Sequence, residues 1–227
     1  MLSSDEKNSN PWETEVYSQG RQINRWPHTE LVSRVLHATA GQDPSKISVL
    51  ELGCGTGNNL RFLAEEGFRT YGVEASPTAV KRALQLLEKD GLTSEIEIGD
   101  MASLPWADGH FDLILDRAAL VHNARDRIHL ILQEAWRVLK PGGRLISVGL
   151  KSVRHPELRF GQQSSEGTWT CFKKGKFRGL GAMSFCHESE IQDLFRCFEI
   201  ECVERMTRSS PQQDILDEEF VVEVVRR

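Results

Sequence analysis

Eight residues, Glu51-Leu52-Gly53-Cys54-Gly55-Thr56-Gly57-Asn58, set three glycines at alternate positions between an apolar run and a helix-forming one. Glycine removes the side chain that would keep a ligand off backbone N–H groups, and it accepts positive φ. A helix that starts there adds partial positive charge. By itself such a turn could serve a dinucleotide or merely turn tightly. Three acids narrow it. Glu74 closes a second strand-like run, where an acid of a doubly wound fold accepts hydrogen bonds from ribose hydroxyls. Asp100, in Gly99-Asp100-Met101 after a third run, could accept from an exocyclic amine such as that of adenine, or cap a helix. Asp116 closes a fourth, at the carboxyl edge where such sheets hold ligands. His122 follows six residues later. A histidine there could take a proton from a hydroxyl or amine, its unperturbed pKa being about 6.5, or serve structure alone.

These residues need a frame. Residues 47–52 form a short apolar, β-branched run that predicts a buried strand. A helix is expected over 58–66, stopped at Gly67, and a second strand over 69–74. Ser76 caps and Pro77 opens a helix that runs to Lys89. Strands follow at 94–99 and 111–116, then a helix at 128–139 stopped by Pro141-Gly142-Gly143, then a fifth strand at 144–150. Strands alternating with helices imply right-handed crossovers and a mostly parallel sheet. Upstream, 29–37 has apolar residues at helical spacing. Downstream, a helix is expected near 188–195, and strands at 198–206 and 220–225 suit an antiparallel hairpin at the sheet edge. Between lies 151–183, with few apolar residues and no clear period. A structureless loop that long is unusual unless functional. It holds seven basic residues (Lys151, Arg154, Arg159, Lys173, Lys174, Lys176, Arg178) against Glu157 and Glu166.

The chain has 227 residues, 28 basic and 33 acidic, for a net charge of −5. Its 39 % apolar and 27 % charged residues are ordinary globular usage and exclude a disordered chain. No stretch approaches the ~18 consecutive apolar residues of a membrane span. The polar start, 1–10, is expected to fray and offers no apolar core for a secretory signal. Five cysteines, an odd count with no C-x-x-C pair, argue against a disulfide framework or a zinc site. A cytoplasmic protein without a metal is therefore expected. Mild acidity argues against nucleic acid as a partner.

The motifs E-L-G-C-G-T-G-N, V-E-A-S, G-D-M-A-S-L-P-W, F-D-L-I-L-D and E-A-W-R-V-L-K-P-G-G-R-L-I-S, in this order, resemble class I S-adenosylmethionine-dependent methyltransferases of the small-molecule type. The likeness covers about 48–148. It implies a Rossmann-like, doubly wound α/β fold with a seven-stranded sheet, the last strand antiparallel. It implies one domain over 1–227: an N-terminal helical lid (1–45), a cofactor-binding core (46–150), an inserted substrate cap after the fifth strand (151–183), and a C-terminal helix and hairpin (184–227). It implies S-adenosyl-L-methionine as cofactor. Glu51, Gly53, Cys54, Gly55, Gly57 and Asn58 would form the cofactor turn, Glu74 and Ala75 would hold the ribose, and Asp100 and Met101 would flank adenine. Asp116 would lie near the methionine moiety and, with His122, serve catalysis. Tyr17 and Arg21, one helical turn apart, would cover the sulfonium and pair with the cofactor carboxylate. Trp12 and Trp26 read as packing anchors.

The spacing G-x-G-x-G, not G-x-G-x-x-G, argues against a nicotinamide enzyme. No N-P-P-Y turn or P-C dipeptide marks base methylation. A small-molecule acceptor is expected, methylated on an anionic or sugar-type hydroxyl. Alternatives are N-methylation of a small amine and a non-catalytic adaptor on the same fold. A monomer or homodimer without nucleic-acid or membrane partners is expected.

Overall fold

The computed structural model describes residues 10–227; the start expected to fray, 1–10, lies outside the described residues except for Asn10. The elements are, in order, α1 (Thr29–Ala38), β1 (Ser48–Leu52), α2 (Asn58–Glu65), β2 (Arg69–Glu74), α3 (Pro77–Lys89), β3 (Glu95–Ile98) and β4 (Phe111–Arg117). Then come α4 (Arg125–Val138), β5 (Leu139–Ser152), β6 (Gln162–Ser165), β7 (Thr168–Thr170), β8 (Met183–Cys186), α5 (Ile191–Leu194), β9 (Glu199–Ser210) and β10 (Gln213–Val225). Strands β3-β2-β1-β4-β5 are parallel neighbours. β10 runs antiparallel to β5 and carries β9 on its outer side. Those seven strands are the expected sheet, with the last strand antiparallel.

Every residue of β1 is buried, so its run of apolar residues packs on both faces. On one face Leu31 and Val35 of α1 and Leu60 and Leu63 of α2 meet Val49, Leu113, Leu115, Ile146 and Val148. On the other, Ile128, Ile131, Leu132 and Ala135 of α4 meet Leu50, Leu52, Ile114 and Leu145. The chain leaves β1 toward β2 on one side, while β4 enters on the other. The carboxyl edge therefore opens a crevice between β1 and β4, the switch point at which such sheets take ligands.

Over this edge the structure departs from a structureless 151–183. β5 outlasts β4: beyond the Arg117–Val148 pair, Lys151 and Ser152 pair with Phe185 and Cys186 of β8. β8 pairs antiparallel with β7, and β7 with β6. Phe172, Phe177, Leu180, Met183 and Phe185 close on Val16, Tyr17 and Val121 as a third apolar cluster. Phe172 and Phe185 lie 5.6 and 6.0 Å from Phe177 between ring centroids. The apolar residues were few and aperiodic because they converge from separate turns.

Three of the segment's seven basic residues are matched by carboxylates. Lys151 Nζ lies 3.0 Å from Asp217 and 2.5 Å from Glu219, all three buried. Lys176 Nζ is 3.5 Å from Asp217, Arg154 is 3.5 Å from Glu218, and Arg208 also pairs with Asp217. Buried His155 sets Nε2 2.8 Å from Asp217. Asp217, at the centre, is held well below the ordinary carboxylate range by His155, Lys151 and Arg208, which outweigh its burial. The cap is thus tied to the terminal hairpin by a buried polar knot.

Candidate active site

A cavity of about 900 Å³ opens at the carboxyl edge. Its wall includes Gly53 after β1, Glu74 and Ala75 at the end of β2, and Asp100 and Met101 after β3. Arg117, Ala118, Ala119 and His122 come from the turn after β4, and Leu180, Gly181 and Ala182 from the cap. Trp12 and Tyr17 close it from the N-terminal side.

Glu74 is buried, its two oxygens accepting from Gly55 N–H (3.0 Å) and Ser76 N–H (2.9 Å). Burial raises its pKa, and those backbone donors oppose the rise. Gly53 has φ +60°, and a Cβ there would stand 2.5 Å from Ala119 Cβ, so only glycine fits. Asp100 accepts from Ala102 N–H (2.9 Å), closing a turn where no helix starts, and from Arg127 Nη2 (2.6 Å), while lining the cavity. His122 packs edge-on to Trp12 at 4.6 Å. Its Nδ1 is buried without a hydrogen-bond partner. Burial, with Lys151 and Arg117 nearby, pulls its pKa down to about 3, so the imidazole is neutral at physiological pH.

Trp12–Tyr17 is a single π-helical turn, fixed by Glu13. The Glu13 carboxylate accepts from Thr78 Oγ1 (2.6 Å), Thr78 N–H (3.2 Å) and Ser76 Oγ at the start of α3. That anion at a helix N-terminus is well placed electrostatically. It holds buried Tyr17 over the glycine turn: a Cβ on Gly55 would be 2.7 Å from the Tyr17 hydroxyl. Burial beside Glu74 keeps the phenol un-ionised.

Seven expected site residues stand outside the cavity wall. Asp116 is fully buried and absent from the cavity wall; it accepts from Ala119 N–H (2.8 Å), Leu120 N–H (3.0 Å) and Ser147 Oγ (2.6 Å), so it shapes the turn after β4. Glu51 accepts from Asn59 (2.6 Å) beneath the turn, its pKa pushed up to about 8 by burial. Cys54 is buried with Sγ against Gly72, and burial raises its pKa, leaving an unreactive thiol. Asn58 donates to Trp26 O (3.0 Å). Arg21 is exposed and donates to Glu15 O (3.0 Å), because the helical turn ends at Tyr17 and Gly20 reverses the chain. Gly55 and Gly57 lie outside the wall too, Gly55 beneath Tyr17 and Gly57 against Ala83.

Residues 49–143 match the model of a methyltransferase domain. That stretch is a methyltransferase domain, similar to those of class I S-adenosylmethionine-dependent enzymes. Over 104 residues it is 36 % identical to 2-methyl-6-phytyl-1,4-hydroquinone methyltransferase of Synechocystis, covering 45 % of this chain and 32 % of that one. Over 191 residues it is 29 % identical to sterol 24-C-methyltransferase ERG6A of Gibberella zeae, covering 78 % and 47 %. The chain thus spans about a third to a half of these relatives. The fold matches 1,6-didemethyltoxoflavin-N1-methyltransferase of Burkholderia thailandensis at TM-score 0.71 and 19 % identity, over 100 % of this chain and 92 % of that one.

Sequence reasoning missed Arg117 and Arg127 within the matched stretch, and Glu13 and the Leu180-Gly181-Ala182 wall outside it. A basic residue directly after the fourth strand was the one local signal, in Asp116-Arg117. Among the described residues no group of three His, Cys, Asp or Glu could hold a metal, and no helix is long and apolar enough to cross a membrane.

Proposed function

We propose that this chain, as one domain over 1–227, transfers the methyl group of S-adenosylmethionine to a hydroxyl of a small, anionic or sugar-type acceptor. The observation that carries this reading is one cavity with two chemically different ends. Gly53, Glu74, Ala75, Asp100 and Met101 enter it after β1, β2 and β3; Arg117 ends β4, neutral His122 follows it, and Trp12 packs on His122. About 900 Å³ is within the range of ligand pockets. The donor and acceptor set fits the cofactor: the Glu74 carboxylate for ribose hydroxyls, the Asp100 carboxylate for the adenine amine, and Met101 for its face. Tyr17, un-ionised over Gly55, offers a π-face to a sulfonium.

When bound, S-adenosylmethionine would supply an electrophilic methyl, and the proton of the acceptor hydroxyl would pass to water, since His122 does not keep it. The chain's share is alignment, worth about 7–11 kcal/mol in favourable cases. Trp12, Tyr17 and the cap exclude water above the edge. His122 stays neutral because imidazolium formation is disfavoured there, so it acts by accepting the hydroxyl's hydrogen bond. Relatives named for a hydroquinone, a sterol and an alkaloid substrate support a small-molecule acceptor. A cytoplasmic monomer or homodimer, without nucleic-acid partners, fits this role. The test is homocysteine-product release from S-adenosylmethionine across a panel of small hydroxy compounds, with matched amines as controls. Turnover on amines alone, or none with any acceptor, overturns the reading.

A further inference from the structure

Two cations line the cavity, and only one is matched. Arg127 donates to Asp100 (2.6 Å) and to Asn123 Oδ1 (3.1 Å). The Arg117 side chain makes no hydrogen bond or ion pair among the described residues, and its Nε is buried without a partner. A guanidinium in that state is costly unless an anion meets it. The surrounding carboxylates are already engaged. Glu219 is held by Lys151 at 2.5 Å, Asp116 by Ser147 and two backbone N–H groups, and Glu51 by Asn59.

Position says which end of the cavity Arg117 serves. It is the last residue of β4, and a Cβ on Gly149 would stand 2.7 Å from its Nη1. The guanidinium therefore lies toward β5. Glu74 and Asp100 lie on the other side of β4, at the ends of β2 and β3. The basic residues of the cap do not replace it: none of them is in the cavity wall.

We infer that Arg117 receives a carboxylate at the β4–β5 end of the cavity and so selects an acceptor carrying that group. This rests on the proposed methyl transfer and names its acceptor class: a small carboxylate-bearing molecule. A guanidinium fork matches a carboxylate bidentately, which an ammonium does not. The cofactor's own amino-acid carboxylate has the same chemistry, and the experiment separates the two sources.

Wild type, Arg117→Gln and Arg117→Lys are compared by isothermal titration, with melting curves as a check on folding. The probes are S-adenosylhomocysteine, 5′-methylthioadenosine, and benzoate against benzamide added to the S-adenosylhomocysteine complex. The expected result is unchanged S-adenosylhomocysteine affinity in both variants. Benzoate, not benzamide, should bind the wild-type complex, at least tenfold more weakly in Arg117→Gln, with partial recovery in Arg117→Lys. If instead S-adenosylhomocysteine weakens tenfold in Arg117→Gln while 5′-methylthioadenosine does not, the carboxylate is the cofactor's. If S-adenosylhomocysteine binds wild type but benzoate does not, and Arg117→Gln leaves S-adenosylhomocysteine unchanged, the inference is overturned and the cofactor reading stands. If S-adenosylhomocysteine does not bind wild type, the cofactor reading fails and this inference with it.

Discussion

Glu51 and Glu74 lie one on each side of the same glycine turn, yet their surroundings give them opposite duties. Glu74 reaches the cavity, and its loss should be felt in binding. Glu74→Gln removes charge-assisted hydrogen bonds of about 1.5–3 kcal/mol, so S-adenosylhomocysteine should bind about ten- to a hundredfold more weakly by titration. Glu51 stays below, and its loss should be felt in stability. Its folded pKa of about 8 lies above the ordinary carboxyl value, so the folded state keeps a proton that the unfolded chain releases. Stability from this residue is full below pH of about 4 and falls as pH rises toward 8. Glu51→Gln should gain on wild type across that window, by up to about 1.4 kcal/mol per pH unit in urea denaturation. A flat difference would mean that Glu51 is ionised when buried. His122 gives the opposite sign: its depressed pKa removes stability as pH falls from about 6.5. As a hydrogen-bond acceptor for the reacting hydroxyl, His122→Phe should lower turnover about a hundredfold with cofactor affinity unchanged. A loss under tenfold would leave it only packing on Trp12.

Of the residues read from sequence, Gly53, Glu74, Ala75, Asp100, Met101, His122 and Tyr17 line the cavity. They were legible because strand ends fix where a side chain emerges. Asp116 was also at a strand end, but its carboxylate turns back onto backbone donors three and four residues ahead, a local choice that spacing does not reveal.

At the scale of elements, the strands and helices of the core follow from runs, caps and glycine stops, whereas the cap does not. Its aromatic residues meet only once β8 has joined β5. Its charges find partners far along the chain, Lys151 and Asp217 being 66 residues apart. A local count of charge therefore does not show that Lys151, Arg154 and Lys176 join a polar knot with the terminal hairpin. Asp217→Ala should cost about 3–5 kcal/mol in chemical denaturation, because it leaves buried cations unpaired. Lys173 and Lys174 are exposed and outside the wall. Changing both to Ser should alter stability by no more than about 0.5 kcal/mol and leave the acceptor KM unchanged. A several-fold rise in KM with salt dependence would restore the patch as an anion trap.

At the scale of the whole molecule, one cavity runs along the carboxyl edge from the ends of β2 and β3, with Glu74 and Asp100, to the end of β4, with Arg117, and the π-helical turn and cap line it as well. The two ends work together only if one molecule can lie across the β1–β4 crevice. Isothermal titration of S-adenosylhomocysteine into wild type and Glu74→Gln, both checked for equal melting temperature, addresses this most directly. One site per chain at micromolar strength, weakened at least tenfold in the variant, is the expected result. No binding by wild type, or equal affinity in the two proteins, would contradict it.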